Sequence, residues 1–145
     1  MNNLKGKSAI LYRRVSTSDQ KIYGNSLNAQ QSSLKDFCHK NSMVIIEEFQ
    51  EDYSAKNFNR PEWKKLNEFS QKNKIKIDYL LVVDWDRFSR NTYEALGVIN
   101  NFKQLGIEVN CIDKWIDYND PSQIMIQLMY LGLPEVDNKV RSQKV

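Results

Sequence analysis

The stretch Arg13-Arg14-Val15-Ser16-Thr17-Ser18-Asp19-Gln20 sets two guanidinium groups beside three hydroxyls. A second stretch, Asp84-Trp85-Asp86-Arg87-Phe88-Ser89-Arg90, sets two more beside two carboxylates. Arginine carries a planar fork of donors that grips an oxyanion in two places and stays charged at any working pH. A serine hydroxyl is a weak nucleophile until a base or an electrostatic field stabilises its alkoxide. Crowded guanidinium groups supply such a field, and a nearby carboxylate can relay the proton. Several forks converging on one place suit an anion of high charge density, such as a phosphodiester in its transition state. The alternative for any one arginine is an ion pair with Glu51, Asp52, Asp84 or Asp86, an interaction worth little at a surface. The only histidine, His39, sits beside Cys38 in an amphipathic stretch and reads as a helical surface residue, which argues against a Ser-His-Asp triad.

Apolar runs alternate with amphipathic stretches along the chain. Strands are expected at Ser8 to Val15, Met43 to Phe49, Asp78 to Asp84 and Ile107 to Ile112. The third is the most hydrophobic, as a central strand buried on both faces should be. Helices are expected at Ser26 to Lys40 with Ser26 as cap, at Pro61 to Lys72 with Pro61 in its first turn, and at Thr92 to Leu105 with Gly106 ending it. A further helix begins near residue 122, and Pro134 should kink or stop it. This β-α-β-α order implies an α/β fold: a mostly parallel central sheet of four to five strands flanked by helices, with a C-terminal helix. Such sheets place their sites beyond the carboxyl ends of the strands.

The arginines obey that rule. Of six, Arg13 and Arg14 end the first strand, Arg60 follows the loop after the second, and Arg87 and Arg90 follow the third. The fifteen lysines are spread widely, as on a solvated surface. With 145 residues, 27% charged and 41% hydrophobic, the chain reads as one domain, and its net charge of +3 alone says little about partners. Two cysteines, Cys38 and Cys111, make no disulfide framework and fit a reducing compartment. The polar start and the lack of any run of about 20 apolar residues argue against a membrane span, so a cytoplasmic protein is expected. There is no cluster of His and Cys at metal-ligand spacing.

The residues from Tyr12 to Gln20 resemble the opening motif of the resolvase/invertase serine recombinases, Y-x-R-V-S-T-x-x-Q. The stretch from Asp84 to Arg90 resembles the second signature of that family, x-x-D-R-[LF]-[SG]-R. Between them, Ser26-Leu27-Asn28-Ala29-Gln30 is similar to its S-L-x-x-Q element, and Ser54-Ala55-Lys56-Asn57-Phe58-Asn59-Arg60-Pro61 to its S-G-x-x-x-x-R-P loop. The resemblance implies a resolvase catalytic domain over residues 1–145 that cuts and rejoins DNA in site-specific recombination. Ser16 would attack a phosphodiester and form a 5′-phosphoserine link. Arg14, Arg87 and Arg90 would hold the phosphate, and Arg60 would assist. Asp86 would orient arginines or move a proton, and Gln20 and Gln30 would position the nucleophile loop. It also implies DNA as partner, a homodimer, and a tetramer in the synaptic complex of the full-length protein. Chemistry free of metal and other cofactor is implied too, which agrees with the lack of a His and Cys cluster. The DNA-reading domain of the family would lie beyond the last helix, so the chain reads as an isolated catalytic domain, unable to recombine a site alone.

Some positions depart from the pattern. Ala55 stands where the family has glycine. Lys21 to Asn25 lengthens the first loop, as in the large serine recombinases and those of mobile elements. Asp137-Asn138 stands where the family has an acidic-arginine pair. The acid before Ser54 is either Glu51 or Asp52. Ser18 competes with Ser16 as nucleophile, and the motif register favours Ser16. Two other schemes use the same loops. Asp84 and Asp86 could hold Mg²⁺ in a nuclease or primase-like domain, with Glu51 or Asp52 as a further oxygen ligand. Alternatively, Asp84 could accept a phosphoryl group in a receiver-like or dimerisation module, a scheme that gives the arginines no role.

Overall fold

Side chains alternate along β1 (Ser8–Val15): Ala9 and Leu11 point one way, Ile10 and Tyr12 the other, and all four are buried. A strand covered on both faces belongs in the middle of a sheet flanked by helices. The computed structural model, which describes residues 3–15, 27–52, 59–72, 74–89 and 91–143 with side chains as far as residue 132, places it there. The chain continues through α1 (Leu27–Lys40), β2 (Val44–Asp52), α2 (Pro61–Lys72), β3 (Tyr79–Val82), α3 (Trp85–Phe88), α4 (Thr92–Gln104), β4 (Glu108–Cys111) and α5 (Pro121–Gln143). The four strands form one sheet in the order β2-β1-β3-β4, and all three pairings are parallel.

The strand order carries a functional consequence. The chain steps outward from β1 to β2, then returns across β1 to β3 and continues outward to β4. The direction of winding therefore reverses between β1 and β3, and in sheets of this kind ligands bind at such a point, beyond the carboxyl ends of the strands. On one face, Leu34 and Cys38 of α1 pack on Ala9, Leu11, Tyr79 and Leu81. On the other, α2, α4 and α5 bring Trp63, Leu66, Ala95, Ile99, Phe102 and Leu131 onto Ile10, Tyr12, Leu80, Val82 and Val109.

The elements follow local chemistry. Pro61 takes the first position of α2, where its missing N–H costs nothing. Gly106 adopts φ 81° after α4, a left-handed turn that lets the amide of Ile107 reach the carbonyl of Phe102 at 2.9 Å. At the edge strand β4, the Tyr118 hydroxyl donates to the Val109 carbonyl, and the Asn110 side chain binds both the amide and the carbonyl of Ile116. The Tyr118 bond occupies an edge-strand carbonyl that would otherwise be open to pairing with another chain.

Three expectations need correction. β2 runs on to Asp52 because it pairs with β1 as far as Val15. β3 ends at Val82 rather than at Asp84, because Asp84 caps the four-residue α3 that follows. Pro134 does not stop the last helix, which continues to Gln143. A proline removes one intrahelical bond, while the turns on both sides keep theirs. Among the described residues, no helix is long and apolar enough to cross a membrane. Ser26, expected to cap α1, lies outside the described residues.

Candidate active site

Arg14 is the penultimate residue of β1 and is fully buried. Burial of a guanidinium group requires hydrogen-bonding partners, and the turn after β3 provides them. Nε of Arg14 donates to the main-chain carbonyl of Arg87 at 3.1 Å, and its NH2 to that of Asp86 at 3.2 Å. The carboxyl ends of the two central strands are thus joined through this side chain.

The turn is itself held by its sequence. Asp84 caps α3, one carboxylate oxygen accepting from the amide of Trp85 at 2.7 Å. Trp85 and Phe88 are buried in the core beneath, which leaves Asp86 and Arg87 on the side of Arg14. Arg87 is 5% exposed, and its Nε lies 3.9 Å from Oδ1 of Asp86. Asp86 is half-buried, and its side chain reaches solvent.

Gln30, buried on α1, grips Arg14 from the other side. Its Nε2 donates to the Arg14 carbonyl at 2.8 Å, and its Oε1 accepts from the Arg14 amide at 3.2 Å. The amide side chain acts there as a short piece of neighbouring strand and fixes the backbone two residues before Ser16. Gln30 therefore contacts the base of the first loop through the main chain.

Arg60 and Glu51 form the adjoining part. Arg60, fully buried, donates from NH1 to the Tyr12 hydroxyl at 3.1 Å, and that hydroxyl donates to Oε1 of Glu51 at 3.1 Å. Glu51 also accepts from the amides of Glu62 and Trp63 at 3.1 and 2.9 Å, so it caps α2 and favours the positive end of its dipole. Burial pushes the Tyr12 hydroxyl well above the ordinary tyrosine range; Arg60 opposes that and Glu51 adds to it. Tyr12 therefore remains a donor to Glu51. Of the two candidate acids, Glu51 is buried and Asp52 exposed.

Thus Arg14, Gln30, Asp86 and Arg87 come together at the carboxyl ends of β1 and β3, and Arg60 and Glu51 meet at the Tyr12 hydroxyl beside them. Ser16, Gln20 and Arg90 lie outside the described residues, as does the loop from Ser54 to Phe58. Arg13 does not join the group. It turns to β2, where NH1 pairs with Glu48 at 2.9 Å and NH2 donates to Gln50 at 2.8 Å. His39 is exposed in the last turn of α1, at the opposite end of the sheet. In the sequence, Tyr12 stands out only as part of a motif, and nothing marks Lys114. The buried tyrosine hydroxyl was open to notice, because Tyr12 follows Ile10 on an inward face and must find a partner there.

Both oxygens of Asp84 are engaged, one in the cap and the other 2.7 Å from Nζ of Lys114. Among the described residues, no group of three or more His, Cys, Asp or Glu side chains is arranged to hold a metal ion. The described part of the site brings together guanidinium groups, main-chain carbonyls, a side-chain amide and carboxylates.

The family model described as resolvase, N-terminal domain, matches residues 9–145. A Clostridium perfringens protein described as a resolvase is 27% identical over 136 residues. The match covers 92% of this chain but only 65% of that protein. The N-terminal catalytic domain of TP901-1 integrase superposes with a TM-score of 0.72 at 21% identity, over 96% of this chain and 100% of that one. A resolvase family site-specific recombinase from Streptococcus pneumoniae superposes with a TM-score of 0.68 at 26% identity, over 95% and 93%. The catalytic domain of ISC1926 TnpA, an IS607-like serine recombinase, gives 0.63 at 24% identity, over 72% and 70%.

Proposed function

We propose, from the premise that this chain belongs to the resolvase family of serine recombinases, that it cuts and rejoins DNA strands in site-specific recombination through a covalent bond to Ser16. The Ser16 hydroxyl attacks the scissile phosphorus. The bond from phosphorus to the 3′-oxygen breaks, the 5′-phosphate stays on serine, and the 3′-oxygen leaves as a hydroxyl with the proton the serine lost. In the rejoining step a 3′-hydroxyl of the partner strand attacks the phosphoserine, and Ser16 leaves. One phosphoester replaces another at each step, so no external energy source is required.

In this reading Arg14, Arg87 and Arg90 hold the phosphate and stabilise its added negative charge, with Arg60 assisting from the second loop. Charge acts strongly in a low-dielectric site, and donors fixed beforehand need no reorganisation as the reaction proceeds. Asp86, half-exposed beside Arg87, orients that guanidinium or moves the proton. Gln30 fixes the base of the loop that carries Ser16, and Gln20 positions the loop itself. The observation that carries the reading is the bond from Arg14 to the Arg87 turn. It makes two phosphate-binding elements a single unit at the topological switch point, next to where the Ser16 loop begins.

Partners follow from the same reading. DNA binds through its phosphates, and α5 supports a homodimer that pairs into a tetramer when two sites are brought together. Met125 and Met129, one turn apart on α5, are 68% and 62% exposed, with Ile124 and Leu128 partly exposed beside them. An apolar stripe of that kind on a surface helix is a common subunit interface.

A chelator test separates this chemistry from a metal-dependent nuclease. The full-length protein is incubated with EDTA and a pool of duplexes with a randomised centre, nicked so that a cleaved intermediate is trapped. The reading expects a protein-DNA adduct that survives denaturation. Strand scission abolished by EDTA, with no adduct, would refute it.

A further inference from the structure

Lys114 lies in the loop after β4, outside every motif that points to the site. Its backbone amide donates to Sγ of Cys111 at 3.3 Å, and its carbonyl accepts from Nε1 of Trp85 at 3.1 Å. Its ammonium is 2.7 Å from the Asp84 carboxylate and 5.3 Å from the centre of the Tyr130 ring on α5. Asp84 caps α3 with its other oxygen, and its carbonyl accepts from the amide of Arg87 at 3.0 Å. The carbonyls of Asp86 and Arg87 in turn hold Arg14. A continuous set of contacts therefore runs from α5 through Lys114, Asp84 and α3 to the buried guanidinium.

We propose that Lys114 is a positioning residue of the arginine turn. Its ammonium, held between the Asp84 carboxylate and the Tyr130 ring, fixes α3 against α5 and so fixes the carbonyl frame for Arg14. Physical reasons favour this role over a plain surface pair. A four-residue helix has too few internal bonds to hold itself. Its cap and its indole both answer to the same lysine. The ammonium is also partly withdrawn from water, where ion pairing and cation-π contacts are stronger. Because α5 carries the exposed apolar stripe, any shift of that helix on subunit packing reaches the arginine turn through this residue.

The catalytic consequence rests on the Ser16 reading, while the positional one does not, so two readouts are used. The variants are Lys114→Met, Lys114→Arg, Asp84→Asn, which keeps a capping oxygen, and Lys114→Met with Asp84→Asn. Hydrogen exchange is followed at the amides of Arg87 and Ser89, which bond to the carbonyls of Asp84 and Trp85. Lys114→Met and Asp84→Asn should both exchange faster there, with β1 and β3 unchanged. Lys114→Arg should match the unaltered protein, and the double variant should be no faster than the faster single one. Unchanged protection at Arg87 and Ser89 would overturn the proposal, as would additive effects. If Lys114→Met loses protection everywhere, Asp84→Asn takes its place, and the same two outcomes decide. In the adduct assay, Lys114→Met should slow covalent attachment roughly 10- to 100-fold at unchanged DNA affinity, as a small misplacement of a reacting frame does. The arginine variant should restore the rate. Absence of any adduct from the unaltered protein would refute the Ser16 reading and leave the exchange result to judge Lys114.

Discussion

Nε of Arg14 and the main-chain carbonyl of Arg87 are 3.1 Å apart, although the two residues lie 73 positions apart in the chain. This bond joins the carboxyl ends of β1 and β3. A lysine at position 14 has no planar fork and cannot reach the carbonyls of both Asp86 and Arg87 in the same geometry. Arg14→Lys should lower stability by about 1–3 kcal/mol, since buried acceptors lose their donor. A urea melt measures this. Both Arg14→Lys and Arg87→Lys should slow adduct formation by roughly 10²-fold, the loss expected when a group that stabilises the transition state is removed. Rates within a few-fold of the unaltered protein would remove these arginines from the chemistry.

Gln30 provides a separable test of loop positioning. Gln30→Ala takes away the partner of one buried amide and one buried carbonyl on Arg14. The expected cost is about 1–3 kcal/mol, read as a lower urea midpoint at unchanged slope. Adduct formation should fall too, because the first residues of the Ser16 loop lose their anchor. Unchanged stability would show that the double hydrogen bond is dispensable.

The stripe on α5 predicts association. Met125→Glu with Met129→Glu places charge on a face that a dimer must dry. Sedimentation should show the unaltered protein self-associating and the double variant monomeric. Its melting temperature at low concentration should stay close to the original, because both side chains are exposed. Identical sedimentation of the two proteins would refute a role for this stripe.

The half-buried carboxyl of Glu108 sets a pH dependence away from the site. Burial pushes its pKa above the usual carboxylate range; a hydrogen bond from Asn110 opposes this, and Asp117 adds to it. A raised folded-state pKa means that the contribution of this group is fully present below the unfolded value and is lost as pH rises through the folded one. Glu108→Gln keeps an oxygen for Asn110 and cannot ionise. The variant should therefore melt higher than the unaltered protein at pH 7, and the gap should close as pH falls below 4. A gap that widens on acidification would contradict the assignment.

Much of this was legible because the signals are local. β1 and α2 fall where alternation and an N-terminal proline place them, and the switch point follows from element order. α3 was hidden because four residues are too few to show a period. Pro134 misled because its rule concerns one hydrogen bond, whereas the helix depends on many. The choice between Glu51 and Asp52 needed the register of β2 on β1, which sets Arg14 opposite Glu51. Lys114 carried no signal, since its partner Asp84 is 30 positions away and isolated surface lysines are common. Arg13 shares a strand end with Arg14 but points to the opposite face, where Glu48 meets it; position along the strand groups the two arginines, and only the alternation of side chains separates them.

The proposed chemistry turns on which hydroxyl becomes bonded to DNA. Trypsin cuts after Arg14 and Lys21, so Ser16, Thr17 and Ser18 fall on one peptide, Val15 to Lys21. Fragmentation mass spectrometry of that peptide, taken from a nuclease-trimmed adduct, locates the linkage. The expected product is a nucleotide joined through its 5′-phosphate to Ser16, with a free 3′-hydroxyl on the released strand. A nucleotide on Ser18, a 3′-linked nucleotide, or a peptide that never gains mass would contradict this chemistry.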